Sequence, residues 1–180
     1  MRALVARLEP VAGWIEQLNE NLGRGLAWLV PVMAAVMFGV VVAAYFLNAG
    51  SIAVQESVSY LHVLIFLAGA GYTLKHDAHV RVDILYRRWS RRTRAIVDLA
   101  GTLVLLLPLF SVILIYSGPY VVTSWARLES SSQVGGLPLV FLLKTFIPLG
   151  AALMLLQGLA LAIRCLAVIT NQPPDGEAAE

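Results

Sequence analysis

Four groupings of residues in this 180-residue chain have the right types for chemistry. His62, His76 and His79 are its three histidines. Imidazoles facing one another at membrane depth hold haem in four-helix bundles. Only His62 falls inside a long apolar run, so a core or interface histidine is the plainer reading. The run Lys75-His76-Asp77-Ala78-His79 sets two imidazoles beside a carboxylate. Its neighbouring cations disfavour a bound metal. Lys144 lies about two turns, roughly 10 Å, into the last apolar run. An ammonium at that depth is costly. Either it pairs, with Glu129 the first candidate and Glu56 the second, or it snorkels outward. Gln157, beside Gly158, is a lone amide mid-way along the same run, placed to hydrogen-bond another helix.

These residues need elements long enough to carry them. The chain is 59% hydrophobic and 13% charged, with a mean hydropathy of +0.78. Ordinary soluble domains carry about 25% charged residues. The composition therefore gives an all-α integral membrane protein. Spans of about 20 apolar residues fit residues 26–47, 57–74, 95–120 and 137–169. Pro108 predicts a kink in the third. The fourth is long enough that it must tilt, kink at Pro148 or project from the bilayer. Together, residues 26–169 form a four-helix membrane domain.

Residues 1–25 precede it. Leu4, Leu8, Val11, Ile15, Leu18 and Leu22 recur at steps of four and three, with charged and amide residues between them. That spacing predicts an amphipathic helix starting near Pro10. It is too polar to span, and would lie on the membrane surface or against a partner helix. Residues 170–180, with Pro173, Pro174 and three acids, read as a disordered cytoplasmic tail.

Orientation comes from residues 69–94. Lys75, Arg81, Arg87, Arg88, Arg91, Arg92 and Arg94 are seven of the chain's 13 Lys and Arg residues. Short basic connections stay on the cytoplasmic side. Four spans then place both termini in the cytoplasm. Within this connection, Val82, Leu85, Tyr86 and Trp89 share one helical face. They predict a short interfacial helix against the lipid bilayer, with arginines toward anionic headgroups. The basic residues cluster between spans, which reads as topology and not as a nucleic-acid surface. The single cysteine, Cys165, cannot form an intramolecular disulfide.

The inventory is short of catalytic parts. There is no nucleophile motif, no phosphate-binding loop and no carboxylate pair in a credible pocket, so no enzyme activity, metal or cofactor is expected. No pair of broken spans repeats with inverted topology, the usual pointer to a transporter's substrate site.

Three stretches carry a resemblance. They are His79-Val80-Arg81-Val82-Asp83-Ile84-Leu85; Glu129-Ser130 with Gly136-Leu137-Pro138 and Lys144; and Ile147-Pro148-Leu149-Gly150 continuing to Leu156-Gln157-Gly158. With the length, the four spans and the basic central loop, they make the chain resemble the small, DctQ-like membrane subunit of TRAP (tripartite ATP-independent periplasmic) transporters over about residues 22–169. The resemblance implies a bacterial inner-membrane scaffold subunit. It implies a large permease subunit as membrane partner, carrying the substrate and ion sites, and a periplasmic solute-binding protein that delivers an organic acid. No substrate site is then expected in this chain. Arg81, Asp83, Arg127, Glu129, Lys144 and Gln157 become candidate structural or partner-contact residues. The competing reading is a haem-anchoring or electron-transfer four-helix subunit, which a haem absorbance band would reveal.

Overall fold

A computed structural model describes residues 2–77 and 89–171. Arg81, Asp83, His79, most of the expected interfacial helix and nearly all of the expected C-terminal tail lie outside the described residues. The described elements are α1 (Arg2–Ala27), α2 (Leu29–Phe46), α3 (Ile52–Lys75), α4 (Arg91–Gly101), a π-helical turn (Thr102–Leu106), α5 (Leu107–Ala126) and α6 (Val140–Asn171). Four stretches are long and apolar enough to cross a membrane: Val5–Phe46, Ile52–Lys75, Arg91–Ala126 and Val140–Thr170.

The first stretch has 42 residues. As one helix it would reach about 63 Å, twice a bilayer core of about 30 Å. A turn at Trp28 divides it. The 18 residues of α2 match the core thickness, and α1 is a separate element.

Several boundaries differ from the sequence reading. α1 begins at Arg2 and not near Pro10. A proline removes one N–H and crowds the carbonyl four residues earlier, yet the helix continues through it, held by packing of Val5, Ala12 and Ile15. α4 starts at Arg91 and not at residue 95, because Ser90 caps it by accepting a bond from the Thr93 N–H at 3.2 Å. α5 runs on to Ala126, six residues beyond the expected end, because Val121 and Ser124 are buried. Pro108, where a kink is expected, is the second residue of α5, and the π-helical turn Thr102–Leu106 precedes that helix. A widened turn is one way to relieve a proline's clash with the preceding carbonyls.

α6 is the hub. It packs on α1, α3, α4 and α5, and more of the described buried residues belong to it than to any other element. α2 is the opposite: none of its residues is buried, and among the described residues its main contacts are with α3 and, fewer, with α1. At 32 residues α6 extends about 48 Å, so it exceeds the bilayer core at one end or both.

Candidate functional site

Two polar clusters sit at opposite ends of the bundle. The first surrounds residues 127–139, the connection between α5 and α6. Leu128 adopts a left-handed backbone (φ 44°), which turns the chain sharply out of α5. The Glu129 N–H then bonds the Ser124 carbonyl at 3.1 Å, and the Glu129 carbonyl accepts from the Val140 N–H at 3.1 Å. So both helix ends fix the position of Glu129. Its carboxylate accepts from Lys144 Nζ at 2.5 Å and from Ser124 Oγ at 2.7 Å. Lys144 also lies 4.1 Å from the centre of the Tyr120 ring, a cation–π distance. The Lys144 ammonium first, and the Ser124 hydroxyl second, hold the Glu129 carboxyl below the usual carboxylate range. Beside them Trp125 Nε1 donates to Thr145 Oγ1 at 2.9 Å and its ring packs on Phe141.

Glu56, the other candidate partner of Lys144, is used elsewhere. It accepts from the Leu137 N–H at 2.7 Å and from the Ser131 hydroxyl. It thereby ties the connection to the start of α3. Gly136 belongs to this contact, because a Cβ there would lie 2.5 Å from Ser131 Oγ and 2.8 Å from Glu56 Oε1. Arg127 caps α5 and is exposed, and its charge also favours the Glu129 carboxylate.

The second cluster joins α1 to α6 and α3. Asn19 Nδ2 donates to Gln157 Oε1 at 2.9 Å and to the Ile15 carbonyl at 3.3 Å. Both amides are buried. Asn19 fits only because α3 presents Gly71, where a Cβ would collide with the amide. Toward the chain termini, one turn along α1 and two along α6, Arg164 makes a fork with Glu16, Nε and Nη2 at 2.9 and 2.8 Å. Glu20 accepts from Lys75 Nζ at 2.7 Å and contacts His76 Nε2 at 2.8 Å. Arg2 Nε reaches the Thr170 carbonyl at 2.9 Å.

No group of three or more His, Cys, Asp or Glu among the described residues is placed to hold a metal ion. What the two arrangements do is fasten elements: one fixes the loop between α5 and α6, the other fixes α1.

The family model for the DctQ component of tripartite ATP-independent periplasmic transporters matches residues 33–168. The chain belongs to the DctQ family. No curated protein and no solved structure gives a match.

The matched region of this DctQ-family chain takes in most of α2 and all of α3, α4 and α5, and ends three residues before α6 does. Of the sequence-derived candidates, Glu129 and Lys144 come together, Arg127 stands beside them, and Gln157 lies mid-way along α6 in the second cluster. Sequence reasoning missed Asn19 as the partner of Gln157, and missed Glu16 and Glu20. Of the stripe read from Leu4, Leu8, Val11, Ile15, Leu18 and Leu22, Ile15 is buried, Leu8 and Leu18 are half-buried, and Val11 and Leu22 are turned out. The buried line of α1 is Val5, Ala12, Ile15, Asn19 and Gly23, while Val11, Trp14 and Leu22 are exposed. Small residues let another helix come close, and the sequence offers Gly69, Gly71, Gly150 and Gly158 for a partner helix, but most of them are used within the chain. Gly150 faces the Leu67 backbone and Gly158 the Leu106 side chain, both internal contacts. Of these four, Gly71 meets Asn19, and Gly69 alone has open space around it.

Proposed function

We propose that this chain is the small scaffold subunit of a TRAP-type secondary transporter in the bacterial inner membrane. It pairs stably with a large permease subunit that carries the substrate and ion sites. The complex takes up an organic acid, driven by an ion gradient and delivered by a periplasmic solute-binding protein. The DctQ match across residues 33–168 is the observation that carries this reading.

Physical features agree with it. The basic residues between α3 and α4 favour a cytoplasmic position for that connection, which puts both termini on the same side. The Glu129–Lys144 cluster and the connection at residues 127–139 then face the periplasm. With Arg127, Gln133 and three serines, that connection offers a polar surface for the binding protein. Arg81 and Asp83 fall in the cytoplasmic connection and would serve contacts there. The chain itself neither binds nor moves substrate.

The test is reconstitution beside a large multi-span permease encoded in an adjacent reading frame. The two should co-purify, and sodium- or proton-driven uptake should need both chains together with the binding protein. Uptake by this chain alone, or full transport without it, overturns the reading.

A further inference from the structure

The groove between α2 and α3 holds hydrogen-bonding groups that the chain leaves unmatched. His62 lies ten residues from the Ile52 end of α3 and thirteen from the Lys75 end, about 15 and 20 Å respectively. That is mid-bilayer depth. Its ring is exposed on the outside of the bundle, roughly stacked on Phe66 with centroids 6.3 Å apart and planes 12° apart. Neither ring nitrogen bonds any described residue. Ser59, one turn away, is exposed too, and so is Gln55 a turn further along the same face. Neither side chain has a hydrogen-bond partner among the described residues.

Beside His62 and Ser59, Met33 and Met37 of α2 complete a groove of about 490 Å³. Hydrocarbon offers no hydrogen bonds, so polar side chains at this depth normally face protein. Methionine is adaptable filler at binding surfaces. The far side of the bundle differs: Leu103, Val104, Leu105 and Leu109 stand exposed there, all apolar and suited to lipid.

Resting on the proposed pairing with a large permease, we infer that the α2–α3 groove is where that subunit docks. Its occupant is a transmembrane helix of the large subunit that carries a hydroxyl, amide or carboxyl group at the depth of His62. The polarity match is what selects it. An acyl chain would leave His62 and Ser59 unsatisfied, whereas a polar helix satisfies them. It also covers α2, the one described helix with no buried residue.

The experiment uses the two subunits co-expressed in membranes. A photo-crosslinkable phenylalanine analogue is placed at Ser59, and separately at Val104 on the opposite face. After irradiation the Ser59 position should give an adduct with the large subunit, and Val104 should not. In parallel, His62→Leu should weaken retention of the large subunit through a detergent challenge by about 3- to 20-fold, the range for interhelical hydrogen bonds in membranes. His62→Asn should restore much of it. An adduct at twice the mass of this chain means a second copy occupies the groove, and overturns the inference. So does an adduct only with lipid. If the large subunit co-purifies but cross-links from Val104 and not Ser59, the docking face is wrong while the pairing stands. If no large subunit co-purifies with the unaltered chain, the pairing itself fails, and the inference with it.

Discussion

The Asn19–Gln157 seam and the Glu129–Lys144 brace are both polar ties between helices, built on opposite logic. The seam joins residues 138 apart in sequence, 0% and 3% exposed. The brace joins residues 15 apart, whose side chains are 40% and 15% exposed. A buried amide pair has no water to fall back on, so losing one partner strands the other. A half-exposed ion pair can exchange its partner for solvent, and such pairs contribute little on average. The seam therefore commits α1 to the bundle, while the brace shapes a loop.

The largest effect expected from this contrast comes from crowding the seam. Gly71→Leu would drive a side chain into Asn19, and overpacking of this kind costs about 3 kcal/mol. The purified chain in detergent should melt at clearly lower temperature, and protease should cut within α1. An unchanged melting temperature would mean that α1 is not seated on α3.

Polar losses in the seam should be smaller. Asn19→Leu or Gln157→Leu each removes one amide and leaves the other buried, at a cost of about 1–2 kcal/mol. The double variant should be more stable than the sum of the two losses implies, because no orphan remains. Simple additivity in the thermal melts would break the pairing.

The brace should respond less, and to pH. Glu129 is held below its ordinary carboxylate range, mainly by Lys144. A lowered carboxyl pKa contributes stability above the ordinary value of 4.5, and that contribution fades as pH falls through the lowered one. At neutral pH Lys144→Met should destabilise more than Lys144→Met combined with Glu129→Gln. Below the carboxylate range the unaltered chain and Glu129→Gln should melt alike. A gap between them that persists in acid would show that the pair does not carry the effect.

The two clusters also differed in how far sequence exposed them. Lys144 announced itself, because a charge in an apolar run is rare, and Glu129 was the near acid on the same side. The spans were legible for the same reason, through apolar length. Asn19 gave no such signal. It sits in a helix that already holds Glu16, Gln17, Glu20 and Asn21, and nothing in its spacing marks it as the one that points inward. What decides its direction is Gly71 in another helix, a tertiary fact. Both lie in different parts of the family comparison as well: Gln157 and Gly71 fall within residues 33–168, and Asn19 falls outside. The helix ends were the least legible part. Ser90 starting α4 and Ser124 extending α5 act through capping and burial, which hydropathy does not register.

The smallest effect provides the sharpest control. Gly69 and Gly71 are two residues apart in α3, and their Cα atoms point to different sides of the helix. A methyl group at Gly71 meets the Asn19 amide, whereas at Gly69 it meets nothing within 4 Å. Replacing an unobstructed helical glycine by alanine removes backbone freedom from the unfolded chain and favours the helix by about 0.5–1 kcal/mol. So Gly69→Ala should leave the melting temperature of the purified chain unchanged or slightly raised, while Gly71→Ala lowers it. Should both alanines lower it equally, then α3 needs glycine for its own backbone, and the closeness of α1 to Gly71 would not be the cause. Should neither lower it, the Asn19 side chain has room to move aside, and the seam is looser than its buried amides indicate.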